Sequence, residues 1–230
     1  MDQLIPAINT DWILFDNQSH PRLRIVPIYY QKGFSDRPQI YGRRTVLEKL
    51  LLALEHLPVN VGLQVWDVYR PRAVQQKLFL WMQEEIRKKF PHFNENENFQ
   101  ETVKYVSLPS KPGEDYCAPH LSGGAVDLTL FELSTGQELA MGTPFDDCTA
   151  RAHIDYFQKH KPQNPEEKQI NQHRLLLQKA MQQVGFTSYR YEWWHYDYGT
   201  IFWARETGRQ PLYGPLFGLE EWPNNDPYEF

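Results

Sequence analysis

The chain has little cysteine, no excess of basic residues and no long apolar run. Its two cysteines, Cys117 and Cys148, suit neither a disulfide framework nor a metal-binding pair, so we expect reduced thiols. The formal net charge of −5 argues against nucleic acid as a partner, because phosphate binding requires a basic face. No apolar run approaches the roughly 18 residues of a membrane span. The first residues lack the pattern of a signal peptide, and we therefore expect a cytoplasmic protein.

The remaining composition is that of one globular domain. The 230 residues are 41% hydrophobic and 23% charged, which suffices for a substantial core. We predict a single α+β domain over residues 1–230, with a small central antiparallel sheet flanked by helices. In this prediction residues 1–42 form an irregular N-terminal wrap with one or two short strands. Residues 205–230 form a loop-like tail.

Apolar spacing indicates three long helices. Apolar residues that recur every three or four positions predict helices at 43–57, 73–90 and 166–184. Thr45 and Glu48 have the spacing of a capping box, which would begin the first of them.

Other segments indicate strands and loops. Alternating apolar residues predict a strand at 61–69, with polar neighbours facing the other side. Residues 189–195 and 200–204 suggest an aromatic hairpin. Residues 91–118 show no clear period, and a loop of that length is usually functional or mobile, so we expect a lid there.

The stretch from Pro119 to Leu130 combines a turn, a histidine and an apolar strand that contains an acid. A carboxylate such as Asp127 is costly within an apolar strand unless something pairs with it. His120 precedes Asp127 across two glycines, and the two side chains could share a cation there. Without such a partner, Asp127 would be an ordinary turn carboxylate at a strand end.

A second histidine would complete a metal site. His195 ends the sequence EWWH, in which Glu192 lies three residues earlier. Two histidines and one carboxylate with a fourth position open are typical of a catalytic zinc site. In a strand, residues three apart face opposite sides, so Glu192 needs a twist or bulge to approach a metal. Its alternative role is a solvent-facing partner of Arg190. The other histidines lie in helical or polar contexts, and we assign them no ligand role.

The combined pattern resembles the M15 family of zinc peptidases. The sequence APHLSGGAVD resembles the first metal motif of that family, and EWWH resembles the last. Within the family, DVYRPRAV and MGTPFD are similar to segments of the D-alanyl-D-alanine dipeptidases. The resemblance extends over residues 67–196 and is weak outside them.

The resemblance implies a role for each site residue. His120, Asp127 and His195 would hold one Zn²⁺ per chain, and Glu192 would be the general base. Arg70 would stabilise the oxyanion of the tetrahedral intermediate.

Two of these side chains also have structural interpretations. Asp146 would anchor the free amine of the substrate, or it would instead cap a helix N-terminus. Arg70 would otherwise pair with Asp67 at the start of a helix.

The implied activity is hydrolysis of the dipeptide D-alanyl-D-alanine, in wall-peptide recycling or in glycopeptide resistance. The alternatives are a D,D- or L,D-carboxypeptidase or endopeptidase on longer wall peptides, and a non-catalytic zinc-bearing peptide-binding module. Ala118 stands where the family carries serine, and residues 107–117 are longer than the usual loop. Both departures border the expected cleft and affect substrate choice rather than metal chemistry. No pattern indicates an oligomeric state.

Overall fold

The computed structural model describes residues 11–217, and the rest of the predicted loop-like tail, residues 218–230, lies outside this range. The described chain forms two sheets. Their strands are β1 Trp12–Phe15, β2 Leu23–Ile25, β3 Ile40–Arg43, β4 Val61–Asp67, β5 Ala125–Glu132, β6 Thr187–Ser188 and β7 His195–Asp197. The larger sheet has the order β2-β4-β5-β7-β6, and the smaller pairs β1 with β3.

Helices surround the larger sheet. They are α1 Ile28–Gln31, α2 Arg44–Ala53, α3 Arg72–Lys89, α4 Glu95–Tyr105, α5 Tyr156–Lys159, α6 Pro165–Gln183 and α7 Ile201–Thr207. Short 3-10 turns form at Leu54–His56, Pro119–Ser122 and Ala150–Ala152. The predicted α+β class is confirmed. Within the described residues, no helix is both long and apolar enough to cross a membrane.

The larger sheet is antiparallel except at one edge. β4, β5, β7 and β6 pair antiparallel as predicted, whereas β2 pairs parallel to β4. Because β2 comes from the N-terminal segment, that segment adds a strand to the sheet and does more than wrap it. The predicted tail is also shorter, since α7 continues to Thr207 before the chain becomes irregular.

The first predicted helix forms, but its N-terminus differs from the prediction. The apolar stripe of α2 is buried in the main core, as its spacing requires. The predicted Thr45–Glu48 capping box is wrong, because Arg43 is the N-cap residue and has no side-chain cap bond. The backbone N–H and hydroxyl of Thr45 instead donate to the Asp11 carboxylate. A side chain from the preceding segment therefore satisfies this helix end.

Residues 91–118 contain a helix that the sequence pattern does not show. α4 begins with a capping box in which Asn94 accepts from the N–H of Glu97, and Glu97 accepts from that of Asn94. The buried positions of α4 are Asn98 and Thr102, which bond to the Gln83 carbonyl and within the helix. Its most deeply buried positions are polar and its apolar residues, such as Phe99 and Val103, are only partly buried, so no clear apolar period marks it.

The predicted aromatic hairpin is wrong in its elements. Residues 189–194 form no strand, and β7 begins only at His195, paired with β6 and β5. The second predicted strand is the start of α7, because the Thr200 hydroxyl accepts from the N–H groups of Phe202 and Trp203. The many aromatic residues of this segment therefore indicate buried core positions and do not indicate strands.

The register of the central strands positions the site. Asp67 on β4 is paired with Asp127 on β5, and Asp127 is paired with His195 on β7. A register irregularity between Val65 and Asp67 brings the acid of β4 into this row. All seven residues of β4 are buried, so the predicted alternation of buried and polar faces does not hold. Polar side chains from three neighbouring strands thus meet inside the molecule.

Candidate metal centre and active site

His120 is held by a tight turn. It lies in the 3-10 turn that Gly123 ends in the left-handed conformation, with φ 70°. Gly124 directly precedes β5, and a Cβ at that position would lie 2.5 Å from the Tyr198 carbonyl oxygen. Because this is too close for a side chain, the position requires glycine. His120 Nδ1 lies 2.8 Å from the Val68 carbonyl. An N–H at Nδ1 donates to that carbonyl and leaves the lone pair of Nε2 facing inward.

His195 is oriented by an acid two residues further along β7. His195 Nε2 lies 3.1 Å from Oδ2 of Asp197, whose other oxygen accepts from the Thr200 hydroxyl at 2.8 Å. This arrangement places the proton on Nε2 and directs the lone pair of Nδ1 toward Asp127. Asp197 was missed by sequence reasoning. Its signal is the His-x-Asp spacing, since alternate residues of a strand share a face.

Acceptor atoms of three buried residues converge here, one ring nitrogen from each histidine and the two oxygens of Asp127. His120 Nε2 lies 3.2 Å from His195 Nδ1 and 3.2 Å from Asp127 Oδ2. His195 Nδ1 lies 3.1 Å from Asp127 Oδ1. Donor atoms around a tetrahedral zinc ion, at bond lengths of about 2.0 Å, are about 3.3 Å apart. The donor set therefore fits one divalent cation, although two histidines and a carboxylate do not select zinc uniquely.

Glu192 lies beside this cluster. Its Oε2 is 3.8 Å from His195 Nδ1, and the side chain is buried. Burial raises the pKa of Glu192 well above its usual range, against the opposing effect of His195. Glu192 precedes β7 in irregular backbone, so no strand geometry turns it away from His195. Arg190, its predicted alternative partner, has its guanidinium 4.8 Å from the Tyr191 ring centroid instead.

Arg70 is fixed by four hydrogen bonds. Its Nε donates to Asp67 at 2.8 Å, and its Nη1 donates to Gln75 at 3.0 Å. Its Nη2 donates to Asp127 at 3.0 Å and to the Tyr29 hydroxyl at 3.2 Å. The guanidinium therefore pairs with Asp67, as the structural interpretation predicts, and it also reaches the convergent cluster, while its role toward an oxyanion stays a prediction. Burial alone would lower the pKa of Arg70, but nearby acidic groups, including Asp67 and Asp127, raise it.

Asp146 lies in the wall of the same cleft. Its Oδ1 accepts from the Tyr29 hydroxyl at 3.0 Å, and its Oδ2 accepts from Lys32 Nζ at 2.7 Å. The helix-capping interpretation is wrong, since Thr149 and Asp155 occupy the N-cap positions of the two helices that follow. Asp146 itself has φ 65°, an uncommon conformation for a residue with a side chain. Burial raises its pKa, and Lys32 opposes that shift.

The cleft beside the cluster encloses about 430 Å³, part of it open to solvent. Its walls include Arg70, Asp146 and Glu192, together with Lys104 and Ser107 from the end of α4 and the residues after it. The segment in which a lid was predicted therefore borders the cleft, but much of it is helical.

Ala118 has a defined contact near the cleft. It is buried, and its N–H donates to the Ser110 hydroxyl at 2.7 Å. Residues 107–117, which are longer than the usual loop of the family, thus supply the Ser110 hydroxyl. It bonds to the backbone of Ala118, the position where the family motif carries serine.

Comparison with known proteins gives consistent results. A family model described as peptidase M15, D-ala-D-ala dipeptidase, matches residues 33–207. The D-alanyl-D-alanine dipeptidase of Streptomyces coelicolor is 34% identical over 164 residues, which cover 69% of this chain and 73% of the relative. The dipeptidase of Enterococcus faecalis is 31% identical over 160 residues, with coverage of 69% and 73%.

One solved structure shares a distant likeness. The LdcB LD-carboxypeptidase gives a TM-score of 0.41 at 15% identity, over 88% of this chain and 75% of that one. This overlap is too weak to carry an argument. The family model covers most of the described residues, and the relatives above 30% identity extend over 69% of the chain. The chain therefore belongs to the M15 family of metallopeptidases.

Proposed function

We propose that the chain is a zinc-dependent dipeptidase that hydrolyses D-alanyl-D-alanine to two D-alanines. The observation that carries this proposal is the position of two further groups beside the convergent cluster. Glu192 Oε2 lies 3.8 Å from His195 Nδ1, and Arg70 Nη2 lies 3.0 Å from Asp127 Oδ2. A non-catalytic zinc module would need neither a buried base nor a fixed guanidinium at that place. The named dipeptidase relatives support the choice of substrate.

His120, Asp127 and His195 would hold the metal. When bound, Zn²⁺ lowers the pKa of water and polarises a carbonyl oxygen, which makes a nucleophile available near neutral pH. The outer partners Val68 and Asp197 orient the two imidazoles so that one ring nitrogen of each faces inward, and a bound cation would keep that nitrogen deprotonated.

Glu192 would act as the general base. It takes one proton from the attacking water while the water oxygen bonds to the peptide carbon. It then gives that proton to the leaving nitrogen as the carbon–nitrogen bond breaks. A raised pKa suits both steps, because the carboxyl must accept a proton and hold it until the amine departs.

Arg70 would stabilise the negative charge on the carbonyl oxygen. Its four hydrogen bonds hold the guanidinium in place before substrate arrives, so little reorganisation accompanies the reaction. Its bond to Asp127 ties this donor to the ligand cluster. The guanidinium is thus held beside the place where the oxyanion would develop.

The ends of the dipeptide would meet charges of opposite sign. Asp146 is the carboxylate suited to the ammonium end. Lys104, whose Nζ pairs with Glu101, is the cleft-lining lysine suited to the carboxylate end. A lysine there would substitute for the hydroxyl that Ala118 lacks.

A D-alanine release assay tests the function. The purified protein loaded with zinc should release two D-alanines from D-Ala-D-Ala, none from the L,L isomer, and none after chelation. Glu192→Gln should retain zinc and lose about 10²-fold to 10⁴-fold in turnover. Glu206→Gln, an exposed acid on α7, is the matched control and should behave as wild type.

A pentapeptide that ends in D-Ala-D-Ala distinguishes the alternative. Release of D-alanine from the pentapeptide alone would assign a carboxypeptidase instead. Hydrolysis that persists in Glu192→Gln would overturn the assignment of the base.

A further inference from the structure

Residues 106–110 form a strap that follows α4 and borders the cleft. Ser107 lines the cleft, whereas Ser110 is fully buried. The strap forms no strand, and two of its carbonyl groups accept from side chains of α3 instead. Gln75 Nε2 donates to the Ser107 carbonyl at 2.6 Å, and Arg72 Nε donates to the Ser110 carbonyl at 2.7 Å. Two buried side chains of one helix therefore fasten the strap.

The other end of the Gln75 amide meets the guanidinium of Arg70. Its Oε1 accepts from Arg70 Nη1 at 3.0 Å, and the Gln75 residue is only 2% exposed. Only the nitrogen of an amide can donate and only its oxygen can accept, so one orientation of the side chain satisfies both partners. Gln75 thus connects the Ser107 carbonyl to Arg70, and each of its polar atoms already has a partner within the protein.

Nη1 is the nitrogen of Arg70 that has a donor to spare. A guanidinium carries five N–H groups. Nε donates to Asp67, and the two N–H groups of Nη2 donate to Asp127 and to the Tyr29 hydroxyl. Among the hydrogen bonds of the described residues, Nη1 donates to Gln75 alone, which leaves its second N–H for a substrate oxygen. The nitrogen that Gln75 holds is therefore the one suited to meet an oxyanion.

We propose that Gln75 is a positioning residue that links the strap to Arg70 and sets the direction of the remaining Nη1 donor. Asp67 and Asp127 hold Nε and Nη2, and Gln75 limits the remaining rotation of the planar guanidinium. When the strap leaves its contact at Ser107, the amide loses one of its two partners and holds Nη1 less firmly. Turnover at the full rate therefore requires the closed strap. This inference rests on the proposed function, in which Arg70 stabilises the oxyanion.

Replacement of Gln75 by methionine tests the link. Gln75→Met keeps the length of the side chain and removes both hydrogen bonds. We expect kcat for D-Ala-D-Ala to fall about 10-fold to 100-fold, because a small displacement of a catalytic group has an effect of that size, while KM stays within about twofold. Gln83→Met, on the same helix but outside the cleft lining, is the matched control and should behave as wild type.

A second background separates positioning from folding. In the Arg70→Met background, Gln75→Met should cause no further loss of kcat, because Gln75 acts only through the guanidinium. A general structural defect would instead reduce kcat in both backgrounds. Thermal melts show whether each variant is folded, and Gln75→Asn, whose amide is too short to reach both partners, serves if Gln75→Met does not fold.

Amide hydrogen exchange tests the other half of the link. The amides of Ser107 and Ser110 should exchange faster in Gln75→Met than in wild type, since the strap loses one of its two attachments to α3. The same amides should be unchanged in Gln83→Met.

Three outcomes would overturn the inference alone, while wild-type protein still releases D-alanine from D-Ala-D-Ala. They are an unaltered kcat in Gln75→Met, with or without a raised KM, an equal loss of kcat in the Arg70→Met background, and unchanged exchange in the strap. Wild-type protein that releases no D-alanine overturns the proposed function together with this inference.

Discussion

Asp197 does for His195 what the Val68 carbonyl does for His120. Each accepts a hydrogen bond from the ring nitrogen that faces away from the cluster, at 3.1 Å and 2.8 Å respectively. The carboxylate is the stronger partner because its charge also makes the imidazole a better electron donor. His120 Nδ1 also lies 3.3 Å from Asp67 Oδ2, so each of the two histidines has a carboxylate near its outer ring nitrogen.

Replacing Asp197 should weaken metal binding without removing a ligand. Asp197→Asn keeps the shape of the side chain but loses its charge, so we expect zinc affinity to fall about 10-fold to 100-fold. Competition with a chromophoric chelator measures the change. Asp155→Asn, at an exposed acid outside the cleft lining, serves as control. An unchanged affinity in Asp197→Asn would show that the carboxylate only supports Thr200.

For individual residues, the sequence predicted site positions where several residues together form one motif. Spacing and resemblance indicated the three convergent side chains, and the structure brings them within hydrogen-bond distance of one another. Tyr29 and Lys32 were missed because they lie in a segment with no pattern of its own. Contacts such as Lys32 with Asp146 span more than a hundred residues and depend on how loops fold back on the sheet.

At the scale of elements, prediction failed where polar caps or polar faces determine the structure. The most deeply buried positions of α4 are Asn98 and Thr102, and α7 has only seven residues, so neither shows the long apolar period on which the predictions relied. α2, α3 and α6 carry buried apolar stripes and were predicted within a few residues. The predicted single domain over residues 1–230 stays a prediction.

The turn that carries His120 should tolerate little change at Gly124. A Cβ there would lie 2.5 Å from the Tyr198 carbonyl oxygen and 2.8 Å from the Tyr213 ring, so strand β5 or the segment after β7 must shift. We expect Gly124→Ala to lower the free energy of unfolding by about 2–4 kcal/mol in urea titrations of the metal-free protein.

Gly113→Ala is the matched control for that measurement. Gly113, unlike Gly124, has a positive φ, of 81°, and a Cβ there would meet nothing within 4 Å. Only the conformational cost of about 1 kcal/mol should remain. A loss in Gly124→Ala no larger than that in Gly113→Ala would contradict the close approach as the reason for glycine at position 124.

The whole molecule should lose stability at alkaline pH. Burial raises the pKa of Tyr105, Tyr189 and Tyr196 above the usual value, so these phenols stay protonated in the folded state. Above the unfolded-state pKa of about 10, the unfolded chain holds fewer protons than the folded chain, and stability falls as pH rises.

Each such tyrosine contributes a slope of about 1.4 kcal/mol per pH unit once the unfolded phenol is ionised. Urea unfolding from pH 8 to about 11, followed with phenolate absorbance, measures it. Phenolate absorbance that develops fully before unfolding would contradict the burial of these hydroxyls.

The row of Asp67, Asp127 and His195 across β4, β5 and β7 has a consequence for local opening of the sheet. β7 has only three residues, and its outer neighbour β6 has two, so few backbone bonds hold this edge. A cation held by Asp127 and His195 would join β5 to β7 only in the native register, and binding to the closed form alone raises the opening free energy.

Amide hydrogen exchange should therefore respond to metal in one part of the molecule. With zinc at about a thousand times its dissociation constant, β7 amides should exchange up to about a thousandfold more slowly than with chelator. Amides of the β1–β3 sheet, which carries none of the ligands, should change little if they exchange by local opening. A uniform change would mean that these strands open only when the whole domain unfolds. A change confined to β7 would mean that the cation also stabilises this edge of the sheet against local opening.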